Sequence, residues 1–198
     1  MHITILTFDG FNELDSFIAS GILNRVKSPD WKVSIACPTE SVTSMNGVEI
    51  KRQVSLDQVA TADVVLVGSG LQTRDVVKDA EIMKQLSLDP AKQLIGAQCS
   101  GALVLGKLGL LDGVPACTDL TTKPWVQNAG FDVLDQAFYA NNNIATAGGC
   151  LASQYLAAWV LAKIHNLQTA IDAIYYVAPV GEKDVYVDRV VSNIEPYL

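Results

Sequence analysis

The sequence predicts an α/β fold: a mostly parallel central sheet with helices on both faces. Three observations carry this. Short Val, Ile and Leu runs alternate with amphipathic segments along the whole chain. Runs such as Val64 to Val67 are apolar at every position, as strands buried on both sides are. The segment Gln93 to Leu105 begins as an apolar strand and ends as a helix-forming run, with Cys99 at the junction. At 198 residues, 49% of them hydrophobic, the chain suits one domain over 1–198 with a substantial core.

Each element has its own signal. Ile3 to Thr7 reads as the first strand. Asn12 to about Val26 is helical, with Leu14, Phe17, Ile18, Ile22 and Leu23 along one face. Lys32 to Cys37 is the next strand. Within Ser41 to Val54, Asn46-Gly47 between two β-like arms signals a hairpin. Val64 to Val67 leads into the loop Gly68-Ser69-Gly70. A helix is predicted over Asp75 to Leu86, followed by the Cys99 strand and helix. A short strand is expected near Ala116 to Thr118. Phe138-Tyr139-Ala140 and Ile144-Ala145-Thr146 flank Asn141-Asn142-Asn143, a second hairpin signal. Two helices are expected to close the chain, Leu151 to Ile164 and Leu167 to Val177.

Composition narrows the functions. The net charge of −7 and the absence of a basic stripe argue against nucleic-acid binding. The N-terminus lacks the basic region of a secretory signal. The longest apolar stretches reach about half a bilayer span, interrupted by Lys107 and Lys163, so no membrane segment is expected. The four cysteines, Cys37, Cys99, Cys117 and Cys150, form no C-x-x-C pair. They read as free thiols of a cytoplasmic protein, with no disulfide framework and no metal site. The Gly68 loop is neither a Gly-x-Gly-x-x-Gly motif nor a P-loop, and no cofactor is expected.

In parallel sheets, sites form outside the carboxyl ends of the strands. Gly68-Ser69-Gly70 and Cys99 both fall there. Ala97 and Gly101 bracket Cys99 in the small-x-nucleophile-x-small spacing of a nucleophile elbow. The turn lifts the central side chain off the sheet and aims free N–H groups at it. A thiol there is expected to have a depressed pKa through the helix dipole. The same pentapeptide also suits a buried core cysteine. Neither histidine is placed to activate it: His2 opens the first strand at the opposite edge, and His165 follows a long helix. Asp15 could approach Cys99 if the first and elbow strands are neighbours, or could simply favour a helix N-terminus. Glu13 reads as a solvent residue. The amides of Gly70 and Ser100 could form an oxyanion hole, or the glycine loop could be an ordinary turn.

Several motifs together resemble the DJ-1/PfpI superfamily, of the class I glutamine amidotransferase-like fold, a flavodoxin-like sandwich. They are Phe8-Asp9-Gly10-Phe11 with Leu14-Asp15, Val67-Gly68-Ser69-Gly70 with Thr73-Arg74, and Cys99-Ser100-Gly101-Ala102 with Leu105-Gly106. Gly109-Leu110-Leu111-Asp112-Gly113 and Thr146-Ala147-Gly148-Gly149 complete the set. The isonitrile hydratase-like branch is the nearest in pattern. The resemblance implies Cys99 as nucleophile and Asp15 as acid partner, acting on a small molecule, in a homodimer. It also brings two alternatives: a glyoxalase III-like or deglycase activity, or an oxidation-sensing stress protein in which Cys99 is the sensor.

The chain departs from the branch pattern. Gly68-Ser69-Gly70 stands where relatives carry Pro-Gly-Gly, and Ser100 where they carry threonine. Many relatives have Thr-Thr-His where this chain has Cys117-Thr118-Asp119. A later register offers Thr121-Thr122-Lys123 instead; the first needs no insertion and puts Asp119 in the histidine's place, and in either register the histidine is absent and the substrate pocket is expected to differ. Cys117 would add a second thiol if it faced the site, or serve as a buried strand cysteine.

Overall fold

The computed structural model describes residues 1–198. The chain opens with β1 (His2–Leu6), α1 (Glu13–Leu23) and β2 (Lys32–Ala36), followed by a hairpin of β3 (Ser41–Thr43) and β4 (Glu49–Lys51). Next come β5 (Val64–Val67), α2 (Thr73–Val76), α3 (Ala80–Met83), β6 (Leu94–Gln98), α4 (Ala102–Lys107) and α5 (Lys123–Asn128). The last elements are β7 (Phe138–Asn141), β8 (Ile144–Ala147), α6 (Ser153–Ile164), α7 (Leu167–Val177) and α8 (Lys183–Ile194). The main sheet has six strands in the order β2-β1-β5-β6-β8-β7. All pairs are parallel except β7 with β8, the hairpin at the edge.

Side-chain alternation along the strands builds two cores. Ile3, Ile5, Val64 and Leu66 point to one face, where α1, α6, α7 and α8 supply Ile22, Leu23, Trp159, Ile174 and Val190. Leu6, Val65, Val67, Ile95 and Ala97 point to the other, against Val104, Leu105 and Val126. The period of two along each strand produces this division.

Three expectations are corrected. The helix over Asp75 to Leu86 is broken into α2 and α3. Asp79 is the cause: its carboxylate accepts from the Glu81 and Ile82 amides and starts a new helix. No strand forms at Ala116 to Thr118. Ala116 makes one isolated bridge to Val133, and the Cys117 amide donates to the Thr146 hydroxyl at 2.8 Å. Thr118 packs so closely on Gly148 that a Cβ there would lie 2.3 Å from its carbonyl oxygen. The chain closes with three helices, not two. Only Val190 and Ile194 of α8 are buried, which leaves too thin a stripe to read against its charged neighbours. No helix is long and apolar enough to cross a membrane.

Candidate active site

The strand order makes β1, β5, β6 and β8 consecutive neighbours, so their carboxyl ends meet. Cys99 leads a single 3-10 turn, Cys99–Gly101, between β6 and α4. Its φ is +47°, a left-handed conformation that costs an L-residue about 1–2 kcal/mol. Gly101 shows why small neighbours are required. A Cβ there would sit 2.6 Å from the Val67 carbonyl oxygen and 2.7 Å from that of Gly68. The elbow therefore closes directly onto the end of β5.

The Cys99 sulfur is only 3% exposed as part of its residue, yet it lines a cavity of about 270 Å³. Gly70, Ser100 and Asp119 share that lining, as do Trp125 and Cys150. Arg74 stacks on Trp125 with its guanidinium 4.0 Å from the ring centre, which fixes that wall. The Gln98 amide nitrogen donates to the Cys99 sulfur at 3.4 Å and to the Gly149 carbonyl at 2.7 Å.

Asp15 is brought to Cys99 from the first turn of α1. It is 3% exposed and stands behind the cavity wall. The Ser69 hydroxyl donates to its Oδ2, while Oδ1 is buried with no well-directed partner. Burial pushes its carboxyl above the ordinary range, against the opposing help of Ser69, Cys150 and Cys99. The group is thus biased toward the neutral acid.

The expected depressed pKa of Cys99 is overturned. Burial, then the charges of Asp15 and Asp119, push the thiol upward and outweigh the donors Gln98 and Gly149. The helix behind the elbow also begins as a 3-10 turn and continues for only six residues, a weak dipole. At rest the pair is a thiol beside a carboxyl biased toward its neutral form.

The oxyanion expectation changes in detail. The Gly70 amide does not point freely into the cavity; it donates to the Ser100 hydroxyl at 3.2 Å. That hydroxyl also meets Thr73 Oγ1 at 2.9 Å. Asp119 lines the cavity but spends its carboxylate on the Thr121 and Thr122 amides and the Thr122 hydroxyl, capping the turn into α5. Cys117 is fully buried, and burial pushes its thiol up to about 12; it is not part of the cavity. Neither histidine reaches the site: His2 bonds Ser34 and His165 stacks on Trp31.

Two residues at the site were read otherwise in the sequence, Glu13 as a solvent residue and Cys150 only as a free thiol. Glu13 accepts from Ser44 at 2.5 Å and Asn46 at 2.8 Å, tying down the hairpin loop that carries Met45 to the cavity. Cys150, half-buried, lies beside Asp15 and accepts from the Asn12 amide at 3.2 Å. No short motif marks it. Its place after Gly148-Gly149 at the end of a strand was the available signal.

A parallel α/β sandwich with a cysteine at a strained elbow and a buried carboxyl behind it defines a class of cysteine-centred proteins. The chain belongs to the DJ-1/PfpI family, whose model matches residues 1–163. It is 25% identical over 130 residues to isonitrile hydratase of Pseudomonas putida, covering 65% of this chain and 57% of that enzyme. It is 28% identical over 151 residues to protein dj-1beta of Drosophila melanogaster, covering 73% of this chain and 79% of that one. The crystal structure of Drosophila DJ-1beta superposes with a TM-score of 0.77 at 23% identity, over 89% of this chain and 96% of the other. A ThiJ/PfpI family protein from Pseudomonas syringae gives 0.78 at 19% identity, over 98% and 87%.

Proposed function

We propose that this chain is a cysteine-dependent small-molecule hydratase of the isonitrile hydratase type, with Cys99 as nucleophile and Asp15 as its acid partner. The observation that carries the reading is the pairing itself: a buried carboxyl biased toward its neutral form, beside a thiol that opens on a small cavity. Hydration of an isonitrile suits that starting state. The Cys99 sulfur bonds to the terminal carbon as that carbon takes a proton, giving a thioimidate. Asp15 supplies the proton and is reloaded by the thiol. Water then adds to the same carbon. The carbon–sulfur bond breaks, the thiol recovers a proton, and an N-substituted formamide leaves. Gly70, Ser100 and Asp119 would shape the pocket around the substrate.

A glyoxalase III-like or deglycase activity is the weaker reading, since neither histidine stands near Cys99 to handle its proton. The chain is further proposed to work in the cytoplasm as a homodimer. Leu14, Phe17 and Leu151 are 50, 37 and 67% exposed beside an apolar groove of about 380 Å³ lined by α1, α6 and α7. Sedimentation showing only monomer at micromolar concentration would remove the dimer.

Turnover decides the activity. Wild type should convert simple alkyl and aryl isonitriles to formamides, followed by proton NMR, and Cys99→Ala should not. Turnover of methylglyoxal without turnover of isonitriles would replace the proposal with the carbonyl reading.

A further inference from the structure

The second thiol at the site is used by none of these steps. β6 and β8 are parallel neighbours with Gln98 opposite Ala147. Each runs into a 3-10 turn that begins with a cysteine, Cys99–Gly101 and Cys150–Ala152. Gln98 fastens the two turns together through the Gly149 carbonyl at 2.7 Å. The Gly149 backbone also lies close enough to the Cys99 sulfur to favour its charged form. Both sulfurs line one cavity, and both flank the Asp15 carboxyl. The Cys150 sulfur accepts from Asn12 at 3.2 Å, while burial and the Asp15 carboxyl together hold its thiol above the ordinary range.

We infer that Cys99 and Cys150 form a reversible intramolecular disulfide under peroxide, so that oxidation closes the site instead of destroying the nucleophile. The sequence alone offers Cys99 no resolving partner; strand pairing supplies one. In the first step a cysteine sulfur takes a hydroxyl group from hydrogen peroxide. The O–O bond breaks, the thiol proton joins the departing hydroxide, and a sulfenic acid and water result. In the second step the other sulfur attacks the sulfenic sulfur. An S–S bond forms, the S–OH bond breaks, and the hydroxide leaves with the second thiol proton as water. Peroxide is the oxidant, and each cysteine gives up one electron overall. Asp15, next to both thiols, can give its proton to the leaving oxygen and be reloaded by the attacking sulfur in either step. Which thiol leads does not alter the balance. The inference is independent of isonitrile turnover, because it needs only the two sulfurs and the carboxyl.

The experiment is peroxide titration of the full chain, read by intact mass without reductant and by peptide mapping. Wild type should lose two hydrogens, yield one cross-linked peptide pair containing Cys99 and Cys150, and recover fully with dithiothreitol. Cys150→Ser, a near-isosteric change at a half-buried position, should lose the cross-link and gain two oxygens at Cys99. Wild type that gains two oxygens as readily as Cys150→Ser overturns the inference. So does a cross-link that maps to Cys37 or Cys117, or one that joins two chains on a non-reducing gel. The mapping on wild type stands alone if the variant folds poorly. Isonitrile assays on the same samples keep the two proposals apart: absent turnover with an intact cross-link removes only the first.

Discussion

The ends of β6 and β8 solve the same problem differently. Each leaves the sheet through one 3-10 turn led by a cysteine and enters a helix. At the end of β6 the cysteine itself takes the left-handed backbone, φ +47°, and the third residue of the turn must be Gly101. At the end of β8 the positive φ falls one residue earlier, on Gly149 at +89°. Cys150 then has ordinary backbone, and the third residue is Ala152. Strain placed on the cysteine itself is the mark of the first turn, and such strain is concentrated at functional sites. The second turn puts the strain where glycine absorbs it freely, and leaves its cysteine half-exposed on the cavity rim.

The largest test of this contrast is functional. Asp15 adjoins both thiols, but in the proposed reaction only the Cys99 chemistry needs its proton for turnover. Asp15→Asn and Asp15→Ala should each lower turnover of a true substrate by about 100- to 10,000-fold, while Cys150→Ser leaves it far less affected. Wild-type turnover in Asp15→Ala would take Asp15 out of the site. A collapsed melting temperature in both variants would make its role structural.

Gly101→Ala comes next. The new methyl collides with the end of β5, and overpacking of this kind costs about 1–3 kcal/mol. At the matching position the second turn already carries alanine, and Ala152→Gly should cost only about 0.5–1 kcal/mol. Urea unfolding of the two variants gives the comparison. Equal losses would mean that the elbow is no more tightly closed than its neighbour.

A crossed pair of substitutions sharpens it further. Cys99→Gly should be more stable than Cys99→Ala by about 1 kcal/mol, because glycine relieves the left-handed backbone. At position 150 the order should reverse, with Cys150→Gly less stable than Cys150→Ala by about 0.5–1 kcal/mol. The same sign at both positions would erase the proposed difference in strain.

The smallest effect is a slope with pH. The folded-state pKa of Asp15 lies above its unfolded value. Its neutral form therefore contributes stability that is fully present below the ordinary carboxylate range and is lost as pH rises through the raised pKa. Above that window the folded state bears the cost of burying the charge. Asp15→Asn has no proton to lose there. Denaturant midpoints of wild type should fall relative to Asp15→Asn across the window and run parallel on either side. Parallel curves throughout would show that the carboxyl is not perturbed.

Much of the fold was legible because its signals are local. Apolar runs of strand length and their alternation with amphipathic segments gave the parallel sheet. Asn46-Gly47 and Asn142 marked both hairpins, with Gly47 and Asn142 at positive φ. The elbow was legible for the same reason: small residues two places either side of Cys99 are a requirement of one turn. Less was legible where a local signal met a competitor. Asp79 interrupts a helical pattern with a cap, and α8 buries too few residues to show a face.

By itself, then, the sequence determined the alternation of elements, the turn at Cys99 and the lack of a usable histidine. These depend on backbone sterics and periodicity within a few residues. Only the tertiary structure decided which side chains share the site. Parallel pairing of β6 and β8 brings Cys150 to the cavity that Cys99 lines; Asp119 reaches the same cavity as a cap for the α5 turn, and Cys117 stays outside it. It also decided the direction of the thiol's pKa. Desolvation is a property of everything packed around an atom, and at Cys99 it outweighs the dipole of a short helix that the motif alone would suggest.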